Sequence, residues 1–334
     1  RQFQAIHQAL LDHQVIFFRD QKMSVDQQKA FVRQFGELHI HPGPRFPIDG
    51  HPEILGIWAD ENSKRVSGEE WHSDVSCEPK PAMASMLYIH EVPKNNGGDT
   101  LFASMYAAFE ALSDPFKRFL AGLTALHTGA AAYGVGRSPI AATNIPSAEH
   151  PVIRTHPETG RQALYVNRYF TSHIAQLSRS ESNVVLEYLY GHAEKVEFQC
   201  RFKWRANSVA FWDNRCVQHK VIWDYFPYRR NGHRIRYKVP EDMSIPSIDV
   251  RKLTPTIGAE IFGVDIGHGI SKGQYDEIRQ ALLDNLVIFF RDQDMTLDQH
   301  KAFGRLFGKL HIHPEPAFPV AGHPEVITIK ADEN

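Results

Sequence analysis

Apolar and polar positions along the chain follow two different periods. The chain opens inside a helix-like pattern. Two capping boxes, Ser24-Val25-Asp26-Gln27 and Thr296-Leu297-Asp298-Gln299, are each followed by apolar residues at helical spacing and closed by Gly36 or Gly308, which predicts a helix in both places. A short apolar run precedes each box, Val15–Phe18 and residues 287–290, and reads as a buried strand. Further helices are predicted from Ser113-Asp114-Pro115 onward, with proline in the first turn, and over residues 178–194. Alternating or aromatic-rich segments at 151–154, 163–166, 197–204, 208–212 and 234–239 predict strands. The fold class is therefore a β-rich α+β one: a sandwich or barrel of antiparallel strands with helical insertions. The regular strand-helix alternation of a doubly wound sheet is missing.

The same patterns occur twice. Residues 2–62 reappear at 274–334 with a constant offset of 272 and no gap, identical at 40 of 61 positions. Solenoid repeats have periods of roughly 20–50 residues, so this spacing is the length of a whole domain. A first unit is expected over 1–244, short of its first ~24 residues by the offset, with a partial second copy, the N-terminal third of the same domain, over 248–334. Residues 1–62 and 274–334 would compete for one place on a barrel. One copy is then expected to dangle, to pack on a neighbour or to complete another molecule, which is compatible with a homo-oligomer.

Composition narrows the partners. Thirty-seven Lys and Arg against 39 Asp and Glu give a net charge of -2. No basic field exists to displace counterions from a phosphate backbone, so nucleic acid is excluded as a partner. Apolar runs such as Leu286-Val287-Ile288-Phe289-Phe290 end at a charge, far short of the ~20 residues that span a bilayer, and no membrane partner is expected. Cys77, Cys200 and Cys216 form no paired framework, no CxxC occurs and nothing at the start reads as a secretion signal. A cytoplasmic location fits best.

The chemistry is concentrated around Trp71-His72-Ser73-Asp74-Val75. On a strand, residues i and i+2 share a face, so His72 and Asp74 would present an imidazole and a carboxylate to one point. A lone His-x-acid pair is weak, because His51/Glu53, His156/Glu158 and His192/Glu194 repeat it without obvious chemistry. The segment Phe211-Trp212-Asp213-Asn214-Arg215-Cys216-Val217-Gln218-His219 adds a third candidate ligand, followed by Arg230 and Arg234.

Together with Gly97-Gly98-Asp99-Thr100 and Asn167-Arg168-Tyr169-Phe170, this constellation resembles the taurine/2-oxoglutarate dioxygenase family of non-haem iron enzymes. The resemblance implies a double-stranded β-helix (jelly-roll) core. It also implies Fe(II) held by His72, Asp74 and His219, with 2-oxoglutarate as cosubstrate and O2 as oxidant. Two imidazoles and one carboxylate on one face of an octahedral ion leave three positions open, as Fe(II) oxygenases require. By the same matching Arg230 and Thr100 bind the far carboxylate of 2-oxoglutarate, which suits the planar two-donor guanidinium. Arg234, His41 and the backbone at Val75 then hold the anionic group of the substrate, and Phe170 lines its apolar side.

The implied activity is hydroxylation of a small anionic organic substrate. An alkylsulfonate comes first, releasing sulfite, succinate and CO2; an alkyl sulfate ester or a phenoxy or other carboxylic acid is the alternative within enzymes, and a non-catalytic metal- or anion-binding relic the alternative of another class. Taurine itself is in doubt. Where taurine-cleaving members carry a Tyr and an Asp-Asn pair, this chain has Pro44 and Ser67-Gly68, leaving Glu69, Glu70 or Asp60 to replace those contacts. Cys77 and Cys216 read as core thiols, and Trp212 as packing beneath the site.

Overall fold

The computed structural model describes residues 2–41, 46–133, 144–238, 248–270, 272–312 and 319–327. They form two compact units: residues 1–156 with 161–243, and residues 157–160 with 244–334.

In the first unit the main sheet is antiparallel throughout, in the order Val15–Phe18, Ser208–Asp213, Ala84–Glu91, Arg230–Lys238, His51–Ala59, Pro47–Ile48, with Glu37–Leu38 also on Arg230–Lys238. A second antiparallel sheet runs Gln199–Phe202, Thr100–Ser104, Val217–Val221. Aromatic side chains join the sheets: Phe17 stacks on Phe202 at 4.0 Å, and Phe102 lies 5.4 Å from Trp212. Strand alternation sends Phe211, Ile235 and Tyr237 to the opposite face of the main sheet. There Phe211 and Tyr237 meet Phe35, which lies at the end of the helix Val25–Arg33. Both faces of Ser208–Asp213 are covered, and all six of its residues are buried.

Local signals in the sequence account for most elements. Ser24 and Ser178 close capping boxes on Val25–Arg33 and Arg179–Ala193, and proline sits in the first turn of Asp114–Leu120. Four strand predictions shift. Residues 151–154 and 163–166 give way to Ile153–Thr155 paired with Gln162–Leu164. Residues 197–204 divide into a single 3-10 turn, Val196–Phe198, and the strand Gln199–Phe202. The strand predicted over 234–239 begins at Arg230 and runs to Lys238, Val239 lying outside the described residues. Asn231, Gly232 and His233 have weak strand propensity, but pairing with Ala84–Glu91 on one side and His51–Ala59 on the other overrides it.

In the second unit Asp249–Lys252, Ala259–Phe262 and Ile288–Phe290 form a sheet whose last two strands are parallel, joined through the helix Lys272–Asn285. Thr296 caps the helix Leu297–Arg305, and the strand predicted over 287–290 starts one residue later. The core is small: Ile248, Ile261, Ile278 and Ala281. No helix among the described residues is long and apolar enough to cross a membrane.

Candidate functional site

His72 and Asp74 do not occupy a regular strand, which corrects the i, i+2 argument. His72 makes an isolated antiparallel bridge with His219: the His219 N–H donates to the His72 carbonyl at 2.9 Å, and the His72 N–H donates back at 3.2 Å. The chain then turns from Asp74, with Val75 at φ +47°. A directly hydrogen-bonded cross-strand pair places both side chains on one face, and the two imidazole centroids lie 4.1 Å apart. Pairing between distant segments, and not alternation within one strand, assembles the cluster.

One donor atom each from His72, Asp74 and His219 lies within 4.8 Å of the others, and all three residues are buried. The Nδ1 of His72 is 2.7 Å from the Glu70 carbonyl, which can only accept. A proton therefore resides on Nδ1, and Nε2 points the other way, 3.6 Å from Asp74 Oδ1. Both ring nitrogens of His219 are buried without a hydrogen-bond partner. Burial, with His72 beside it, pushes this imidazole well below its ordinary pKa, so it is neutral and basic toward a Lewis acid. An imidazole this buried and unsatisfied is costly unless something else takes its lone pair. Two imidazoles and a carboxylate fit a divalent ion with open positions.

Asp74 is held from three sides. Ser85 Oγ donates to Oδ2 at 2.6 Å, while Arg234 Nη1 and Arg236 Nη2 donate to Oδ1 at 3.1 and 2.8 Å. Burial alone would raise its pKa, but the two guanidinium groups hold the carboxyl well below the usual carboxylate range. Asn214 braces the loop: its Nδ2 donates to Ser85 Oγ at 2.9 Å, and its Oδ1 accepts from Trp212 Nε1 at 2.9 Å. Ser85, Asn214 and Arg236 went unnoticed in the sequence. The only signal for Arg236 was its place two residues beyond Arg234, on the same strand face.

A cavity of about 330 Å³ opens beside His72 and Asp74, and His41, Val75, Phe170 and Arg234 all line it. Phe170 and Tyr169 flank the His72 ring at 6.2 and 5.7 Å. His41 Nε2 lies 3.3 Å from the Tyr133 hydroxyl. Burial and the neighbouring Arg236 lower its pKa to about 3, so His41 is neutral at ordinary pH. The buried positive charge of the cavity thus belongs to Arg234 and Arg236. Ser67, Gly68, Glu69 and Glu70 line the wall. Asp60 does not; its carboxylate accepts from the Trp58 indole, the Asn62 amide and the Ser63 hydroxyl. Pro44 lies outside the described residues.

Thr100 and Arg230 are not in the cavity wall. They meet instead around Trp204, whose Nε1 donates to Thr100 Oγ1 at 3.0 Å and whose ring lies 5.6 Å from the Arg230 guanidinium. Both are buried, and Arg230 Nε has no hydrogen-bond partner. Strand register ties them to the cluster. Thr100 pairs with Val221, two residues along from the Phe102–His219 pair, and Arg230 is four residues from Arg234 on one strand face.

Other groups are closed. Asp213 is bound by the Arg215 guanidinium and by His156 Nε2, the latter at 3.0 Å, which leaves a buried ion pair next to Cys216. Burial pushes the Cys77 thiol up to about 12 and the Cys216 thiol well above its ordinary value, so neither is a ready thiolate. Trp212 is buried in the core, 4.6 Å from the His219 ring. Among the described residues the second unit contains no such cluster; His313 falls outside them, and His311 is exposed.

Comparison with known proteins gives a consistent picture. A Saccharomyces cerevisiae protein named alpha-ketoglutarate-dependent sulfonate dioxygenase is 35% identical over 242 residues, covering 66% of this chain and 57% of that protein. A Pseudomonas putida protein named alpha-ketoglutarate-dependent sulfate ester dioxygenase is 32% identical over 244 residues, covering 70% of this chain and 79% of its own length. The crystal structure of a taurine dioxygenase from Burkholderia xenovorans superposes with a TM-score of 0.61 at 35% identity, covering 72% of this chain and 80% of that one. The chain spans less than two thirds of the length of several curated relatives, 59%, 64% and 57% in three cases. The family profile described as taurine catabolism dioxygenase TauD, TfdA family matches residues 1–236 and again 249–334. The chain belongs to that family.

Proposed function

We propose that residues 1–244 form an Fe(II)- and 2-oxoglutarate-dependent dioxygenase on a double-stranded β-helix core. It hydroxylates a small anionic organic substrate, an alkylsulfonate above all. The observation that carries this reading is the convergence of His72, Asp74 and His219 on one point, with both His219 nitrogens unpartnered. In it His72, Asp74 and His219 hold the iron, which when bound supplies O2 activation at the expense of 2-oxoglutarate and the oxidation of a substrate C–H bond.

The remaining residues bind and orient. Arg230, buried with its Nε unpartnered, grips the far carboxylate of 2-oxoglutarate, with the Thr100 hydroxyl beside it. Arg234 and the backbone at Val75 hold the substrate anion. His41, being neutral, serves as a hydrogen-bonding group and not as a charge. Phe170 and Tyr169 exclude water from the side of the cavity next to His72. Hydroxylation at the carbon bearing sulfur yields an adduct that breaks down to an aldehyde and sulfite, with succinate and CO2 from the cosubstrate. Residues 248–334 are a partial second copy, and their described residues build no ligand cluster of their own. The unpaired cysteines suit a reducing, cytoplasmic compartment.

The test is to incubate the purified full chain with Fe(II), ascorbate and 2-oxoglutarate against a panel of alkylsulfonates, alkyl sulfates and phenoxy acids, measuring succinate, sulfite and sulfate. Succinate with sulfite, abolished in His219→Ala, is the expected result. Succinate with sulfate, or with phenoxy acids only, moves the substrate to an ester or a carboxylic acid. No succinate with any substrate overturns the enzyme and leaves a metal- or anion-binding protein.

A further inference from the structure

Arg236 has no part in the roles above, yet it is 5% exposed and lines the substrate cavity together with Arg234. The two arginines are two residues apart on one strand, so their side chains emerge on the same face. Each gives one Nη to the same Asp74 oxygen, and the Nε of each is buried with no partner. Two buried cations thus share the Asp74 carboxylate, and each keeps a buried Nε donor without a hydrogen-bond partner beside the cavity that both line. Arg236 is also the electrostatic neighbour of both His41 and Tyr133. Its own carbonyl accepts from the His39 N–H at 2.9 Å, which ties the segment carrying His41 to it.

We propose that Arg236 is a specificity-determining residue and the second guanidinium of the substrate anion subsite, which selects an anion with three terminal oxygens, a sulfonate or sulfate monoester, over a carboxylate. The inference rests on the dioxygenase reading above and narrows its substrate class. One guanidinium fork is matched by the two oxygens of a carboxylate, so a second fork would be left with buried, unpaired donors. A tetrahedral group presents a third oxygen in another direction and can satisfy Arg234 and Arg236 together. A purely bracing role for Arg236 on Asp74 would instead leave the choice between anions untouched.

The experiment uses the full chain loaded with Mn(II) and N-oxalylglycine, an unreactive analogue of 2-oxoglutarate, so that binding is read by calorimetry without turnover. Hexanesulfonate, hexyl sulfate and hexanoate are compared in wild type, Arg236→Met and Arg236→Lys. Wild type should prefer the two sulfur anions over hexanoate. Arg236→Met should weaken both sulfur anions by about tenfold or more, the loss expected when charge-assisted hydrogen bonds are removed, with hexanoate changed by less than about threefold. Arg236→Lys, which keeps the charge without the fork, should recover part of that loss.

Equal weakening of all three anions, or loss of Mn(II) binding in both variants, assigns Arg236 to bracing Asp74 and overturns the proposal. Binding of Mn(II) and N-oxalylglycine with none of the three anions overturns it while leaving the dioxygenase reading intact. Failure to bind Mn(II) and N-oxalylglycine at all overturns both.

Discussion

Asp74→Asn offers a quantitative test of how the site is held. Asp74 is 1% exposed, its Oδ1 accepts from two buried guanidiniums at 3.1 and 2.8 Å, and its Oδ2 accepts from Ser85 at 2.6 Å. Asparagine preserves shape and removes the charge, leaving Arg234 and Arg236 uncompensated. Breaking a buried pair from one side costs about 3–5 kcal/mol, and two stranded cations place this case toward the upper end. All five tryptophans, Trp58, Trp71, Trp204, Trp212 and Trp223, lie in the first unit, so urea unfolding of metal-free protein followed by tryptophan fluorescence reads that unit alone.

The pH dependence has a definite sign. Asp74 titrates lower in the folded than in the unfolded state. Its contribution is therefore complete above the unfolded carboxylate value of about 4 and disappears as pH falls through the folded one. The gap between wild type and Asp74→Asn should be constant near neutrality and close only in strong acid. Anaerobic Fe(II) at about 100 times its Kd should add about 2.7 kcal/mol to wild type and nothing to the variant. A loss under about 1 kcal/mol at pH 7, or metal-dependent stabilisation that survives in Asp74→Asn, would refute the reasoning.

Other substitutions probe separate links. Phe35→Ala removes a ring 1% exposed that packs on Phe31, Phe211 and Tyr237, and should cost about 3–5 kcal/mol; the matching Phe307→Ala, at a site 37% exposed, should cost under about 1.5 kcal/mol, both by chemical denaturation. Gly98 sits at φ +83° with a built Cβ only 3.0 Å from Arg230 Cδ. Gly98→Ala should raise the KM for 2-oxoglutarate several-fold while leaving Fe(II) affinity unchanged, and a KM equal to wild type would separate Arg230 from cosubstrate binding. Trp204→Phe deletes the donor to Thr100 Oγ1 at 3.0 Å. A loss of about 1 kcal/mol in 2-oxoglutarate affinity is expected by equilibrium titration. Iron titration of the full chain should end near one ion per chain, since the described residues of the second unit supply no ligand cluster; a value near two would defeat the partial-copy reading.

The convergence of the candidate ligands was legible because their residue types are chemically restrictive. A histidine, an aspartate, a second histidine and two arginines in that order admit few functions, and the structure draws His72, Asp74 and His219 together. Their mode of convergence was hidden, because the His72–His219 bridge joins segments separated by 147 residues and no local period encodes it. The same holds for Ser85, Asn214 and Arg236, each an ordinary polar residue until Asp74 arrives beside it.

Sequence alone determined the features that depend on residues within a turn or two of one another. Ser24, Ser178 and Thr296 cap their helices because cap and partner lie three positions apart. Tertiary structure decided everything that depends on what lies opposite. Phe17 and Phe289 occupy equivalent places in the 61-residue repeat, yet Phe17 stacks on Phe202 while Phe289 is 42% exposed. An identical side chain gains or forgoes its hydrophobic stabilisation according to whether a partner surface removes it from water, and that partner is supplied by residues nearly 200 positions away.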